Sequence, residues 1–369
     1  MDHIAEEINR DPVEVRMVNY RLQDNDLPKL VPMFLEKINY KERQERIKEF
    51  NKLNRWKKRG MKLNNMAFPT AYLGNYGALV SVYHGDGSVV VNIGGIEIGQ
   101  GIFTKMAQVA AFEFDIPVET VSIIPCLNFA TPNTFATASS ITSECCAYAV
   151  IRCCDQIKAR LAPFRAARPQ ASWREIVFEA DAQGVSLQAN YLTSDNDPRL
   201  INYSIFGIAV TEVEVDILTG TKWIVRADIF EDAGRSLNPG IDVGQVEGAF
   251  VMAISLWLIE DIVYNEHTGE LYTDRTWTYK VIGAKDIPYD FRVFLRRKRP
   301  NPVGILGSKA VGEPPGCLGY VVVESLRDAI EASHRDSGYD TKYVCLEVPV
   351  NVESLIEAAD VKLEEFVLY

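Results

Sequence analysis

Three features of the sequence predict an α+β fold, antiparallel β-hairpins packed with helices whose N-termini converge on one site. Residues 78–93 and 205–231 each alternate apolar and polar side chains about a turn, the period-2 signature of half-buried hairpins. Helical apolar patterns follow glycine- or hydroxyl-bearing loops at Gly99–Gln100, Ser139–Ser140, Gly244–Gln245 and Gly312–Glu313. With 369 residues and 47% hydrophobic composition, the chain can bury a large core, as one large domain or two intimately packed ones.

Taken in order, Asp11-Pro12 with Glu14 reads as an N-cap, a first-position proline and a first-turn acid, hence a short helix. Residues 41–58 place Ile47, Phe50, Leu53 and Trp56 among Lys, Arg and Glu, which predicts an amphipathic helix. Lys57, Lys58 and Arg59 then form a charge run that faces water at its end and complements the helix dipole. Ala78 to Ile93 turns at Gly85-Asp86-Gly87 and runs into a glycine loop, 94–101, before the helical pattern of Met106, Val109 and Ala110. A strand at 121–124 precedes a loop crowded with hydroxyls, 131–143, and a helix from Glu144 to about Leu161. The middle, 173–190, reads as a connecting helix and turn. The second hairpin turns at Leu218 to Thr221, and Asp242 to Gly248 leads into an apolar helix over 249–258. A third hairpin is expected at 264–271, a strand at 291–295, and a helix carrying Leu318, Val321, Val322, Leu326 and Ile330. An acidic tail follows Ser337.

Composition narrows the function. A net charge of -11 gives no domain-wide positive field for phosphates, which argues against a nucleic-acid binder. Met1 is not followed by a charged segment and an apolar signal core, and no apolar run reaches the ~18–20 residues that span a bilayer. A soluble cytoplasmic protein without a membrane partner is the expectation. The seven cysteines are an odd number without a secretory signal, so reduced thiols are expected. Cys145, Cys146, Cys153 and Cys154 form no Cys-x-x-Cys pair, and adjacent residues on a helix point about 100° apart. Packed thiols fit better than metal ligands. His3, His84, His267 and His334 are scattered, which gives little support to zinc or non-haem iron. The glycine loop at 94–101 lacks both the Gly-Lys-Ser/Thr ending of a phosphate loop and the Gly-x-Gly-x-x-Gly spacing.

The stretch most suited to chemistry is Gly307 to Gly316. Its glycines permit close backbone approach, and Pro314 and Pro315 stiffen the chain directly after Glu313. A carboxylate held rigidly beside a helix N-terminus meets one requirement of a general base, although the same stretch also fits an ordinary loop leading into a helix. Around Ser139 and Ser140 there are more hydroxyls than one N-cap needs. Four such helix entrances together favour an extended, anionic, hydrogen-bonding cofactor.

Four motifs carry a resemblance that spans nearly the whole chain: Gly-Gly-Ile-Glu-Ile-Gly-Gln-Gly (94–101), Thr-Pro-Asn-Thr (131–134), Ser-Leu-Asn-Pro-Gly-Ile-Asp-Val-Gly-Gln-Val-Glu-Gly-Ala-Phe (236–250) and Ser-Lys-Ala-Val-Gly-Glu-Pro-Pro (308–315). They resemble the molybdenum hydroxylases, the xanthine dehydrogenase and aldehyde oxidase family. Leu127-Asn128-Phe129 and Thr142-Ser143-Glu144 resemble its insect aldehyde oxidases. The resemblance implies a molybdenum–molybdopterin cofactor and hydroxylation of an aldehyde or N-heterocycle carbon with oxygen from water. It makes Glu313 the general base and sets Gln100 against an oxygen ligand of the metal. Ile98, Gly99, Lys105, Ala138, Ser139, Ser140, Thr142 and Gln245 become the cofactor's cradle. The metal is held through the pterin dithiolene, with no protein ligand of its own. Ile98, Ser139 and Gly316-Cys317 depart from the residues relatives often carry, which alters the pocket wall. The FAD and [2Fe-2S] domains of the family, and its upstream Gly-Gly-Phe-Gly-Gly loop, are absent from this chain. Residues 1–336 therefore match the C-terminal half of the molybdopterin-binding domain, with 337–369 as its tail, in a homodimer that needs the missing N-terminal domains. A xanthine dehydrogenase fragment, or a catalytically silent interaction or dimerisation module, are the alternatives.

Overall fold

The computed structural model describes residues 1–21, 23, 25–339 and 343–366. Four helices open the chain, α1 (Asp2–Glu7), α2 (Pro12–Val18), α3 (Leu27–Lys37) and α4 (Tyr40–Leu53). As its sequence dictates, α2 starts with Asp11 accepting from the N–H groups of Val13 and Glu14. The expected helix over 41–58 stops short because β1 (Lys57–Pro69) takes over. The basic run therefore opens a strand. Lys58 is fully buried rather than solvated, and its Nζ donates to the carbonyls of Asn51 (2.6 Å) and Asn54 (2.5 Å) while pairing with Asp336. An ammonium is tolerated there because two acceptors at the negative end of α4 and a carboxylate replace its water.

The first sheet begins with the expected hairpin, β2 (Gly77–Val82) and β3 (Val89–Ile93), with Ala78 opposite Ile93. The chain leaves β3 through the glycine loop, forms α5 (Ile102–Phe114) and returns as β4 (Val121–Ile124), parallel to β3. α6 (Thr142–Ala167) packs on this sheet, and α7 (Trp173–Ala182) packs against α6. β5 (Gln188–Leu192), where only a turn was expected, pairs antiparallel with β2 to give the order β4-β3-β2-β5.

The second sheet is built on the hairpin of β6 (Ser204–Asp216) and β7 (Lys222–Glu231), with β1 added along β6. α8 (Pro239–Leu258) then crosses to β8 (Asp290–Leu295), parallel to β7, for an order of β1-β6-β7-β8. The hairpin expected at 264–271 is a single antiparallel bridge between Tyr264 and Leu271. α9 (Val321–Asp336) covers one face of β1 and β6, and α10 (Val352–Ala359) packs beside it. β6 is buried continuously from Ile205 to Val213 because α8 and α9 close one face while α3 and α4 close the other. Residues 337–339 and 343–366 fold back on this half: His334 Nε2 lies 2.8 Å from the Ala358 carbonyl, and Phe366 stacks on Trp56. Residues 340–342 and 367–369 of the expected tail lie outside the described residues.

α8 corrects a sequence expectation. At 20 residues it is the one helix among the described residues long and apolar enough to cross a bilayer. Here it serves as a crossover helix, with Val246, Phe250, Ile254 and Leu258 in the core of the second sheet.

Candidate active site

Two strand–helix–strand crossovers, β3-α5-β4 and β7-α8-β8, each send a loop off the carboxyl end of a strand into a helix. Crevices form at such ends. A cleft of about 420 Å³ lies between them, lined on one side by residues from Ile98 to Lys105 and Thr137 to Glu144, and on the other by Leu237, Gln245, Met252 and Ser308 to Glu313. Ile98, Gln100, Lys105, Ala138, Ser140, Thr142, Gln245 and Glu313 thus come together from four segments of the chain. Gly99 and Ser139 lie next to wall residues but are not part of the wall.

The glycine loop is organised by a residue that sequence reasoning passed over. Glu97 accepts from the N–H groups of Gly99 and Gly101 at 2.9 Å each and of Phe103 at 3.0 Å, bonding the open first turn of α5, which has no side-chain N-cap. Burial pushes its acidity down, but these N–H groups outweigh that and hold the carboxyl below its ordinary value. Gln100 folds its amide back on the loop, accepting from Ile98 N–H and donating to the Ile96 carbonyl, both at 2.7 Å. Lys105 pairs with buried Asp242 at 2.6 Å, and Ser236 donates to the other oxygen of the same carboxylate.

Ser139 and Ser140 both adopt left-handed backbone, φ 58° and 53°, which costs roughly 1–3 kcal/mol each for a non-glycine residue. That twist delivers the Ser140 hydroxyl to the Glu313 N–H, which donates to it at 2.8 Å. Two further hydroxyls are engaged: Thr137 accepts from Ile96 N–H at 2.9 Å, and Thr142 accepts from Ala138 N–H at 3.2 Å. They shape the cleft by joining its loops. A Cβ at Gly312 would sit 3.0 Å from Ser140 Oγ and 3.3 Å from Gln245 Oε1, so a larger residue at the junction would press on both side chains.

Two expected helix entrances move. Gln245 stands in the second turn of α8, which starts at Pro239 with Asn238 as its N-cap. After Glu313, residues Pro314–Leu318 form a 3-10 turn and α9 begins only at Val321, so the open end of α9 is not directly beside Glu313. The Glu313 side chain is exposed.

In the cleft wall, Glu144 is only 4% exposed, and its Oε2 accepts from the hydroxyls of Tyr72 (2.8 Å) and Tyr203 (2.5 Å). Burial pushes its carboxyl above the ordinary range despite these donors. Cys145, Cys146, Cys153 and Cys154 are all buried, and burial raises their thiols, Cys146 and Cys153 to about 12, which keeps them protonated and inert. Among the described residues, no group of three or more His, Cys, Asp or Glu is placed to hold a metal. A metal at this cleft would have to come with its own organic ligand, and the wall of amides, hydroxyls and glycine backbone fits such a ligand.

A cleft at the carboxyl ends of two crossover units, walled by hydrogen-bonding side chains, defines a cofactor-binding domain of the α+β class. The chain belongs to the molybdopterin cofactor-binding domain family, whose sequence model matches residues 33–288. It is 36% identical over 91% of its length to a xanthine dehydrogenase of Drosophila pseudoobscura pseudoobscura, and 37% identical over 97% to a xanthine dehydrogenase/oxidase of Gallus gallus. The chain spans 27% and 28% of those proteins. Among solved structures, the quinoline 2-oxidoreductase of Pseudomonas putida 86 superposes with a TM-score of 0.82 over 97% of this chain and 50% of that one, at 20% identity. The fold is therefore shared with that oxidoreductase.

Proposed function

We propose that this chain forms part of the catalytic site of a molybdenum-dependent hydroxylase that oxidises aldehydes or N-heterocycles with oxygen from water. In this reading, residues 1–336 are the C-terminal half of the molybdopterin-binding domain and 337–369 its tail. The observation that carries the proposal is that Glu313, Gln100, Gln245 and the Ser140 loop, matched to the family one by one, share a single cleft. The molybdenum–pterin group, when bound, accepts the two electrons released as a substrate carbon exchanges hydrogen for oxygen. The chain's own residues bind and orient. Gln245 and Gln100 offer amide donors and acceptors, the latter once its amide leaves its own loop; the Lys105–Asp242 pair sets the local charge; and Ser140 fixes the backbone from which Glu313 takes up a proton at its carboxylate.

Motifs of the insect aldehyde oxidase kind, Leu127-Asn128-Phe129 and Thr142-Ser143-Glu144, support aldehydes as substrates. The xanthine dehydrogenase names of relatives 36–37% identical support a purine instead, and parallel assays with an aldehyde and xanthine decide between them. A cytoplasmic homodimer, acting together with segments like those in the rest of the relatives' length, is the assembly this reading implies. Its central test is Glu313→Ala in a protein of that full length. Loss of a general base lowers kcat by about 10²–10⁴-fold; turnover within about tenfold of the parent removes Glu313 from that role.

A further inference from the structure

We propose that Tyr203, braced by Glu144, is a positioning residue that fixes the pose of the Ala310–Glu313 loop. The inference rests on the functional reading above only for its catalytic consequence. Tyr203 stands immediately before β6, and its hydroxyl joins the two halves of the cleft: it donates to Glu144 Oε2 at 2.5 Å and accepts from the Ala310 N–H at 2.8 Å. A phenol has one proton to give. Because Glu144 takes that proton, the hydroxyl is left as an acceptor, and the only polarity available towards the loop is the one that captures an N–H. Tyr72 delivers a second hydroxyl to the same carboxylate oxygen, so the buried acid is held from two directions. The pose of Glu144 therefore depends on the tyrosines, and the polarity of Tyr203 depends on Glu144.

The loop is anchored on either side of the two residues that need placing. Upstream, Lys309 Nζ donates to the Ser204 carbonyl at 2.7 Å and to Asp232 at 2.9 Å. Ala310 is then held by Tyr203, and Glu313 by Ser140. Both of these last tethers come from residues tied to the start of α6, so α6 sets where the Glu313 backbone lies relative to the opposite wall. Val311 and Gly312 between them have no side chain that could do so by hydrogen bonding.

Hydrogen–deuterium exchange on the 369-residue chain tests this. In Tyr203→Phe, which keeps the ring and removes both hydrogen bonds, the amides of 310–313 should exchange about tenfold faster or more, with β6 and α9 unchanged. Glu144→Gln retains an oxygen acceptor for the phenols and should keep most of the protection, whereas Glu144→Leu should lose it. Ser140→Ala, which touches only the second tether, should free the Glu313 amide and leave Ala310 protected. Wild-type exchange over 310–313 in Tyr203→Phe, or an equal rise throughout the chain, overturns the proposal. In a full-length enzyme Tyr203→Phe should lower kcat with KM retained. A loosened loop with unchanged turnover would leave the positioning intact and count instead against Glu313 as the base.

Discussion

Glu231, the last residue of β7, is fully buried with neither carboxyl oxygen hydrogen-bonded among the described residues. Burial, reinforced by Asp242 and Asp232, pushes its carboxyl well above the ordinary range. An unsatisfied buried polar group costs about 1–3 kcal/mol, so Glu231→Leu, of similar volume, is expected to stabilise the chain by roughly that amount in chemical denaturation. Unchanged or reduced stability would show that the acid has a partner in solution. The opposite sign is expected at Lys105: Lys105→Met leaves buried Asp242 without its cation, and breaking a buried pair costs about 3–5 kcal/mol. At this scale the sequence singled out Glu313 and Ser140, which the structure brings into one cleft. It was not legible for Glu97 or Tyr203, whose importance lies in which backbone N–H each one meets.

Among elements, the contact of α9 with β1 is the tightest test of packing. A Cβ at Gly60 would lie 2.0 Å from the Ser325 carbonyl oxygen and 2.7 Å from the Ala329 nitrogen, both backbone atoms of α9. Gly60→Ala must push the helix off the sheet, and a loss of about 3 kcal/mol or more is expected in thermal or urea unfolding. On the same helix, burial and then the charge of Asp328 raise Glu331 from 4.5 to about 7. The folded chain holds this proton where the unfolded chain has released it. Its contribution to stability is therefore complete below about pH 4.5 and lost as pH rises through 7, by roughly 3 kcal/mol at ~1.4 kcal/mol per decade of proton affinity. Glu331→Gln should flatten that part of the stability–pH curve; a curve of unchanged slope would show that Glu331 titrates normally. The hairpins and α2 could be read from local pattern because period and caps are local signals. β1 could not, because its basic start looks like a helix end until Asp336, 278 residues from Lys58, supplies the partner that lets the lysine be buried.

For the whole molecule, the cleft joins two sheets with separate cores, so a ligand that bridges its walls should stabilise the arrangement as a unit. Purified chain carrying molybdenum and pterin should unfold at higher temperature than chain without them, since a ligand at a hundred times its Kd adds about 2.7 kcal/mol. Metal analysis and pterin fluorescence on the same samples give the occupancy, and equal melting temperatures at high and low occupancy would mean that the cofactor does not bridge the walls.

The sequence by itself determined the α+β class, the hairpins at 78–93 and 205–231, the packed state of Cys145, Cys146, Cys153 and Cys154, and the motifs that place the chain in its family. Each of these depends on residue type and spacing, which the chain carries locally. Only the tertiary structure decided that β4 and β8 are parallel crossover strands, that Lys105 faces Asp242, and that the Glu313 loop is held by Ser140 and Tyr203. Those facts rest on hydrogen bonds and ion pairs between residues more than 100 positions apart, or on which strands become neighbours, and no local pattern encodes either.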